Sequence, residues 1–182
     1  MSRDAKSKNL SIFDIDGTLV CSTGSLEHAW LELFGEKLSP AAYGKLARKE
    51  KHEVLHLSYS KFADETYPNP RVIQKLNEAK KSGNRVVIVS GRQRDLLEDT
   101  KKLLRKFDVK YDEITLKQPE IKTYDFKLAK VSEIYELVKP KSTEIYDDLY
   151  YILDGVHGLL CHSTDIKPYL VENGIPIPYN PG

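Results

Sequence analysis

The stretch Leu10-Ser-Ile-Phe-Asp-Ile-Asp-Gly-Thr18 decides how the rest of the chain is read. Leu10, Ile12, Phe13 and Ile15 form a short apolar run, and Asp16-Gly17-Thr18 is a turn signal. The pattern predicts a buried strand that empties into a loop. Two carboxylates stand at that strand end. In extended backbone, residues i and i+2 point the same way, so Asp14 and Asp16 can share one cavity. Such a pair divides labour in phosphoryl chemistry. One carboxylate attacks phosphorus and forms an aspartyl-phosphate. The other protonates the leaving oxygen and later activates water. Gly17 lets the backbone turn sharply after the pair. Aspartates at a turn also serve simply as turn or cap residues. Four fixed positions at about 5–7% each, however, arise by chance in roughly one chain of this length in several hundred.

Working outward, 85–90 is the clearest strand. Val86-Val-Ile-Val89 are β-branched throughout and lie between Gly83-Asn84 and Gly91. Further strands are expected at 113–116, 144–146 and 158–161. Helical spacing fills the gaps. Val72, Ile73, Leu76 and Ala79 make one stripe over 70–82, with Pro70 placed to open it and Gly83 to close it. Similar stripes predict helices over 92–107, 125–138 and 149–156. Strands alternating with helices predict an α/β, Rossmann-like three-layer fold around a central parallel sheet. In such folds the site lies outside the carboxyl ends of the strands. That directs attention to Asp14, Ser90, the 115–117 region and Asp147.

Residues 22–67 break the alternation and read as a small helical cap inserted after the first strand, with 1–21 and 68–182 forming the core. A lid at that place can cover the strand end, with Trp30, Tyr43 or Tyr59 facing a substrate. The last nine residues hold three prolines and read as an extended tail.

Composition narrows the field. Of 182 residues, 28 are basic and 27 acidic, for a net charge of +1, which argues against a strongly basic nucleic-acid surface. The polar N-terminus has no apolar leader core, and no stretch approaches the ~20 apolar residues of a membrane span. Cys21 and Cys161 are far apart and in no metal-ligand spacing, so they read as two buried free thiols in a reducing compartment. A soluble, cytoplasmic protein is expected; the oligomeric state is not legible.

The order of motifs resembles the haloacid dehalogenase-like superfamily, over most of the chain. Asp14, Asp16 and Thr18 match its first motif, Asp-x-Asp-x-Thr. Ser90, in Val-Val-Ile-Val-Ser-Gly-Arg92, matches its second. The acidic pair Asp147-Asp148 matches its fourth. For the third, a lysine, Lys117, Lys122 and Lys127 lie in the window, and Lys127 fits best. The resemblance implies a Mg²⁺-dependent phosphatase. Asp14 and Asp16 would be catalytic. Thr18, Ser90, Gly91, Arg92 and Lys127 would bind phosphate, with Ser90 also able to cap the following helix. The hard metal ion would be held by oxygens of Asp14, Asp16 (through its backbone carbonyl), Asp147 and Asp148. An aspartate at position 16 fits phosphatases, in which the aspartyl-phosphate turns over rapidly.

His52 and His56 are spaced to share a helical face, but no further zinc ligands accompany them. His157 and His162 have no evident partner, and His28 reads as a lid histidine. For the substrate, a phosphorylated small molecule or nucleotide under the lid comes first. A nucleic-acid 3′ end is the alternative, on a resemblance to phage-type polynucleotide 3′-phosphatases and RNA-repair-associated members. Leu149 stands where those proteins carry an Arg after the acidic pair, and no Arg occurs between Asp16 and Phe34. The clusters at 48–51 and 101–106 can track a phosphate backbone, or simply be solvated helix faces. A non-catalytic binding or scaffold protein on the same fold is the third reading.

Overall fold

A computed structural model describes residues 9–182; the polar segment before them lies outside the described residues. The quoted run forms strand β1 (Asn9–Phe13), whose side chains alternate between two cores. Leu10 and Ile12 enter one cluster of buried residues, while Phe13 and then Ile15 enter the other. Both faces are covered, which is why the strand reads as apolar almost without interruption.

The chain then turns through Gly17 into β2 (Val20–Cys21) and three helices, α1 (Thr23–Phe34), α2 (Pro40–Lys45) and α3 (Arg48–Tyr59). It returns through β3 (Tyr67–Pro68), which pairs antiparallel with β2. The insertion is therefore clipped at its base by a two-stranded ribbon. Ser39 opens α2 by accepting the Ala42 N–H, with Pro40 beside it at a position that needs no donor. α1 and α3 pack together, and the Ser25 and Ser58 hydroxyls share a buried 2.8 Å hydrogen bond in that seam.

The remainder alternates as expected: α4 (Pro70–Lys81), β4 (Arg85–Gln93), α5 (Leu97–Lys106), β5 (Glu113–Lys117), α6 (Thr123–Val138), β6 (Ser142–Asp147), α7 (Tyr150–Leu160) and β7 (Asp165–Glu172). A final strand, β8 (Ile175–Pro178), closes the six-stranded sheet, in the order β5-β4-β1-β6-β7-β8. All neighbours are parallel except β7 and β8. On one face α4 lays Val72, Ile73, Leu76 and Ala79 against Phe13 and Ile88. On the other, α6 and α7 lay Val131, Ile134, Ile152 and Leu153 against Ile12 and Val87. Each such large side chain, fully buried, contributes about 1.5–3 kcal/mol.

Four sequence expectations change. Residues 158–161 are not a strand: Ile152, Leu153, Val156 and Leu160 are buried at helical spacing and carry α7 to Leu160. The true strand, β7, is masked by Asp165, Lys167, Pro168 and Glu172, which interrupt its apolar pattern. The C-terminal stretch is more than a tail, since Ile175–Pro178 forms an edge strand on β7. Pro176 and Pro178 have no N–H to offer a further strand, which is how an edge is protected. Finally, β4 runs on to Gln93, and the helix expected from residue 92 begins only at Leu97. Neither free cysteine is fully buried: Cys21 is exposed and Cys161 half-buried. Among the described residues, no helix is long and apolar enough to cross a membrane.

Candidate active site

Strand register builds the first half of the site. Phe13 pairs with Tyr146 across β1 and β6, their rings stack at 4.4 Å, and the Asp14 N–H donates to the Tyr146 carbonyl at 3.0 Å. The next residue on each strand, Asp14 and Asp147, therefore leaves the sheet beside the other and on the opposite face from those rings. That is the face covered by α6. From the first turns of α6, Lys127 Nζ reaches within 3.0 Å of Asp14 Oδ1 and 2.6 Å of Asp147 Oδ2. All three side chains are almost fully removed from water. The other Asp147 oxygen accepts the Leu149 N–H at 3.1 Å, which fixes the carboxylate where β6 meets α7.

Asp148 completes an acidic cluster in which one carboxylate oxygen from each of Asp14, Asp147 and Asp148 lies within 4.8 Å of the other two. Three acids thus share one ammonium. Burial, reinforced by Asp147 and Asp16 and opposed by Lys127, pushes the Asp14 carboxyl up to about 7. Burial and the charge of Asp14 raise Asp148 to about 6, and burial also raises Asp147. Lys127, despite burial, is held protonated by Asp14 and Asp147. A cluster of hard oxygen donors with surplus negative charge suits a divalent ion such as Mg²⁺.

Asp16 lives differently. Arg92 Nε donates to Oδ2 and Nη2 to Oδ1, both at 2.8 Å, a bidentate grip. Ser22 Oγ donates to Oδ1, and the Tyr59 hydroxyl lies close enough to favour the ionised carboxylate. The guanidinium lies 3.9 Å over the Tyr59 ring. Burial alone would raise the Asp16 carboxyl, but Arg92, Ser22 and Tyr59 together hold it below the usual carboxylate range. Tyr59, named from sequence as a residue to face the substrate, packs its ring against Arg92 and is largely buried.

The turn between the two aspartates and β2 is tightly specified. Gly17 sits at φ +80°, and a Cβ there would fall 2.2 Å from Asp148 Oδ2. Asn69 Nδ2 donates to the Thr18 carbonyl at 2.7 Å and pins the turn to the start of α4. Thr18 is fully buried, and its hydroxyl has no partner among the described residues. Ser90 Oγ accepts the Arg92 N–H at 3.2 Å at the start of a bulge in β4, seven residues before α5, so it caps no helix. Gly91 lets β4 approach α6: a Cβ there would lie 2.8 Å from Thr123 Cγ2.

Of the three candidate lysines, only Lys127 enters the cluster. Lys117 ends β5, and burial together with the facing Arg48 lowers its pKa. Lys122 is exposed ahead of α6. His52 and His56 do share a face, their rings 6.3 Å apart, and His52 Nε2 lies 3.7 Å from Asp95 Oδ2. They belong to no group of three metal-ligating side chains among the described residues. Sequence reasoning missed Ser22 and Asn69; the local signal for Asn69 was its place just ahead of Pro70, which opens α4. A cleft of about 570 Å³ lies beside the site, lined by Asp16, Asp148, Cys21, Ser22, Tyr59 and Asn69 among others. Its size is that of a small-molecule site.

No family model matches this chain, and no curated protein matches it. Solved structures do. A chain of the Pnkp1/Rnl/Hen1 complex is 18% identical with a TM-score of 0.57, over 95% of this chain and 50% of that one. This chain thus spans about half the length of that relative. A haloacid dehalogenase-like family hydrolase from Streptococcus pneumoniae is 18% identical with a TM-score of 0.60, over 91% of this chain and 84% of that one. A predicted phosphatase from Clostridium acetobutylicum is 16% identical with a TM-score of 0.59, over 89% and 83% of the two chains. At these identities the likeness is one of architecture, and it agrees with the motif order along the chain.

Proposed function

On this haloacid dehalogenase-like fold, we propose that the chain is a magnesium-dependent phosphomonoester hydrolase working through an aspartyl-phosphate on Asp14. One observation carries the reading: Asp14 stands at a buried strand end against Lys127 and two more carboxylates, two residues from a separately held Asp16. Asp14, the Asp16 backbone carbonyl, Asp147 and Asp148 would hold the metal. Bound there, magnesium supplies the positive charge that offsets the carboxylates and the phosphoryl oxygens.

An Asp14 oxygen attacks phosphorus, and the bond from phosphorus to the leaving oxygen breaks. The leaving oxygen takes a proton from the Asp16 carboxyl. Asp16, now ionised, accepts a proton from water as that water attacks the same phosphorus. The Asp14–phosphorus bond breaks, and inorganic phosphate leaves. Lys127 and Ser90, with the Gly91 amide, would hold the phosphoryl oxygens, with Thr18 in the turn below. Arg92 would steady Asp16 with its fork, and its Nη1, buried with no partner among the described residues, is a donor still available to phosphate. Arg92, Ser22 and Tyr59 favour the ionised Asp16 that the water step needs. Before Asp16 can donate a proton, that grip has to loosen. Ser22 and Tyr59 both belong to residues 22–67, so in this reading the insertion is a cap whose seating controls the acid. Two unpaired cysteines agree with a reducing, cytoplasmic setting.

The test is phosphate release from p-nitrophenyl phosphate with and without Mg²⁺. Release depends on the metal, persists in Lys122→Ala and disappears in Asp14→Asn. Full activity in Asp14→Asn would overturn the reading.

A nucleic-acid 3′ end is the second reading. It is favoured by the likeness to a chain of the Pnkp1/Rnl/Hen1 RNA repair complex and by the cations Arg48 and Lys117 facing each other where the insertion meets the β5–α6 loop. Hydrolysis of 3′-phosphorylated oligonucleotides that falls steeply with salt, while small substrates do not respond, would single it out.

A further inference from the structure

Three exposed tyrosines ring the site and have no part in the chemistry above. Tyr124 lies in the first turn of α6, three residues before Lys127, so it stands one turn outward on the same side of the helix. Tyr151 lies in the first turn of α7, three residues after Asp148. Their ring centroids are 6.2 Å apart with planes tilted by 39°, and Tyr150 meets Tyr151 edge-on at 5.8 Å. Tyr124, Tyr151 and Tyr150 are 40%, 44% and 59% exposed. Gly155 makes the arrangement possible: a Cβ there would come within 2.7 Å of the Tyr124 hydroxyl, so the bare helix surface lets that ring lie across α7. Tyr151 is also close enough to the centre to feel the charges of Lys127, Asp147, Asp148 and Asp14.

The cluster contributes nothing to the core, and exposed aromatic groups gathered at one place mark a binding surface. Its neighbours indicate what binds. Asp148 lines the cleft that a substrate would enter, and Tyr151 follows one turn on. On the other side, Arg48 at the start of α3 donates to the Pro119 carbonyl of the β5–α6 loop, and Lys117 ends β5 just before that loop. Neither cation forms an ion pair with a carboxylate among the described residues. Exposed ring surface gathered next to a site for phosphate suits a planar base attached to that phosphate.

We propose that Tyr124 and Tyr151, backed by Tyr150, form a stacking platform for the base of a nucleoside phosphate whose phosphate lies at Asp14. The proposal rests on the hydrolase reading and names its substrate class. The readout is a selectivity ratio: kcat/KM for adenosine 3′-phosphate divided by that for glycerol 2-phosphate, which has no ring. Tyr124→Leu/Tyr151→Leu lowers this ratio roughly tenfold or more, mainly through KM for the nucleotide. Tyr124→Phe/Tyr151→Phe, which keeps the rings, restores it. An unchanged ratio in the leucine variant overturns the platform. A 3′-phosphorylated hexanucleotide tells a chain end from a free nucleotide, since a ratio higher than for the mononucleotide, and lost with salt, assigns the platform to chain ends. A second measurement keeps the two readings apart. Calorimetric titration of adenosine 3′-phosphate into Asp14→Asn with Mg²⁺ detects binding without turnover. If the wild type hydrolyses no phosphomonoester yet this binding is present and lost in the leucine variant, the platform stands and the hydrolase reading falls. If no binding is seen, the platform falls.

Discussion

Asp14 and Asp16 are two residues apart, and their surroundings are opposites. Around Asp14, three carboxylates share the single ammonium of Lys127. Around Asp16, one carboxylate receives Arg92, Ser22 and Tyr59. The first half is short of positive charge and the second is saturated with donors. The difference follows from where the partners come from. The Asp14 half is made by strand ends and the helix behind them, all within the core. The Asp16 half is closed by residues on both sides of the insertion. A deficit of charge invites a cation and a phosphoryl group, whereas a carboxylate gripped by donors stays in place and ionised until that grip loosens. Two identical side chains are thereby fitted to two jobs.

The strongest way to break this comparison is Lys127→Met. Without the ammonium, two carboxylates are left buried and facing each other, a change of the kind that costs about 3–5 kcal/mol. Urea unfolding in EDTA is expected to show a loss of that size. Added Mg²⁺ should recover more stability in the variant than in the wild type, because the ion then answers charges that nothing else does. A variant as stable as the wild type in EDTA would mean that the cluster is not short of charge.

Replacing each aspartate by asparagine sharpens the contrast. Asp16→Asn leaves the Arg92 guanidinium buried with a neutral partner, and about 2–3 kcal/mol of stability should be lost. Asp14→Asn removes one of three like charges and leaves an amide oxygen for Lys127, so stability should change by less than about 1 kcal/mol in either direction. Both variants lose turnover. Denaturant midpoints in metal-free buffer separate them, and equal losses of stability would erase the distinction.

How far the sequence revealed these two halves differs in the same way. The Asp14 half was legible: the apolar run placed Asp14 at a strand end, spacing placed Asp147 at another, and Lys127 fell in the first turns of a helix with a clear apolar stripe. Local pattern placed the aspartates at strand ends, and the family resemblance singled out Lys127 from Lys117 and Lys122; register and helix phase then bring the three together. Arg92 was identified, but as a phosphate ligand, since nothing local shows that β4 bulges after Ser90 and runs on to Gln93. Ser22 went unnoticed, and the place of Tyr59 beside Arg92 and Asp16 was not foreseen. Both meet Asp16 only through the packing of α1 on α3 and the β2–β3 clip, contacts that no periodicity encodes. At the far edge of the sheet, β7 and β8 escaped notice because charges and prolines interrupt their patterns.

Tyr59→Leu tests whether the insertion really secures the Asp16 half. It removes the ring under Arg92 and the hydroxyl near Asp16 while keeping an apolar side chain in place. The expected loss is about 1–2 kcal/mol, less than for Asp16→Asn because the bidentate pair survives. Combined with Asp16→Asn, the loss should be clearly less than additive. Additive losses would show that Tyr59 packs beside the pair without supporting it.

Ser22→Ala is the mildest disturbance and the most discriminating. Its hydroxyl is one of several donors to Asp16, and it reaches the carboxylate from the first residue after β2. Losing one hydrogen bond to a charged group that keeps its other partners costs about 1 kcal/mol. The carboxylate is not stranded, since both Arg92 contacts remain at 2.8 Å. If the Asp16 half is saturated, Ser22→Ala stays near that figure, and a double-mutant cycle with Tyr59→Leu gives a coupling energy of only a few tenths of a kcal/mol. Each donor is then dispensable because the rest suffice. If Ser22→Ala instead costs as much as Asp16→Asn, the half is a chain of dependent contacts in which one loss releases the others. Asp16 would then be as precariously held as Asp14 is under-compensated, and the division between the two aspartates would rest on geometry rather than on the supply of partners.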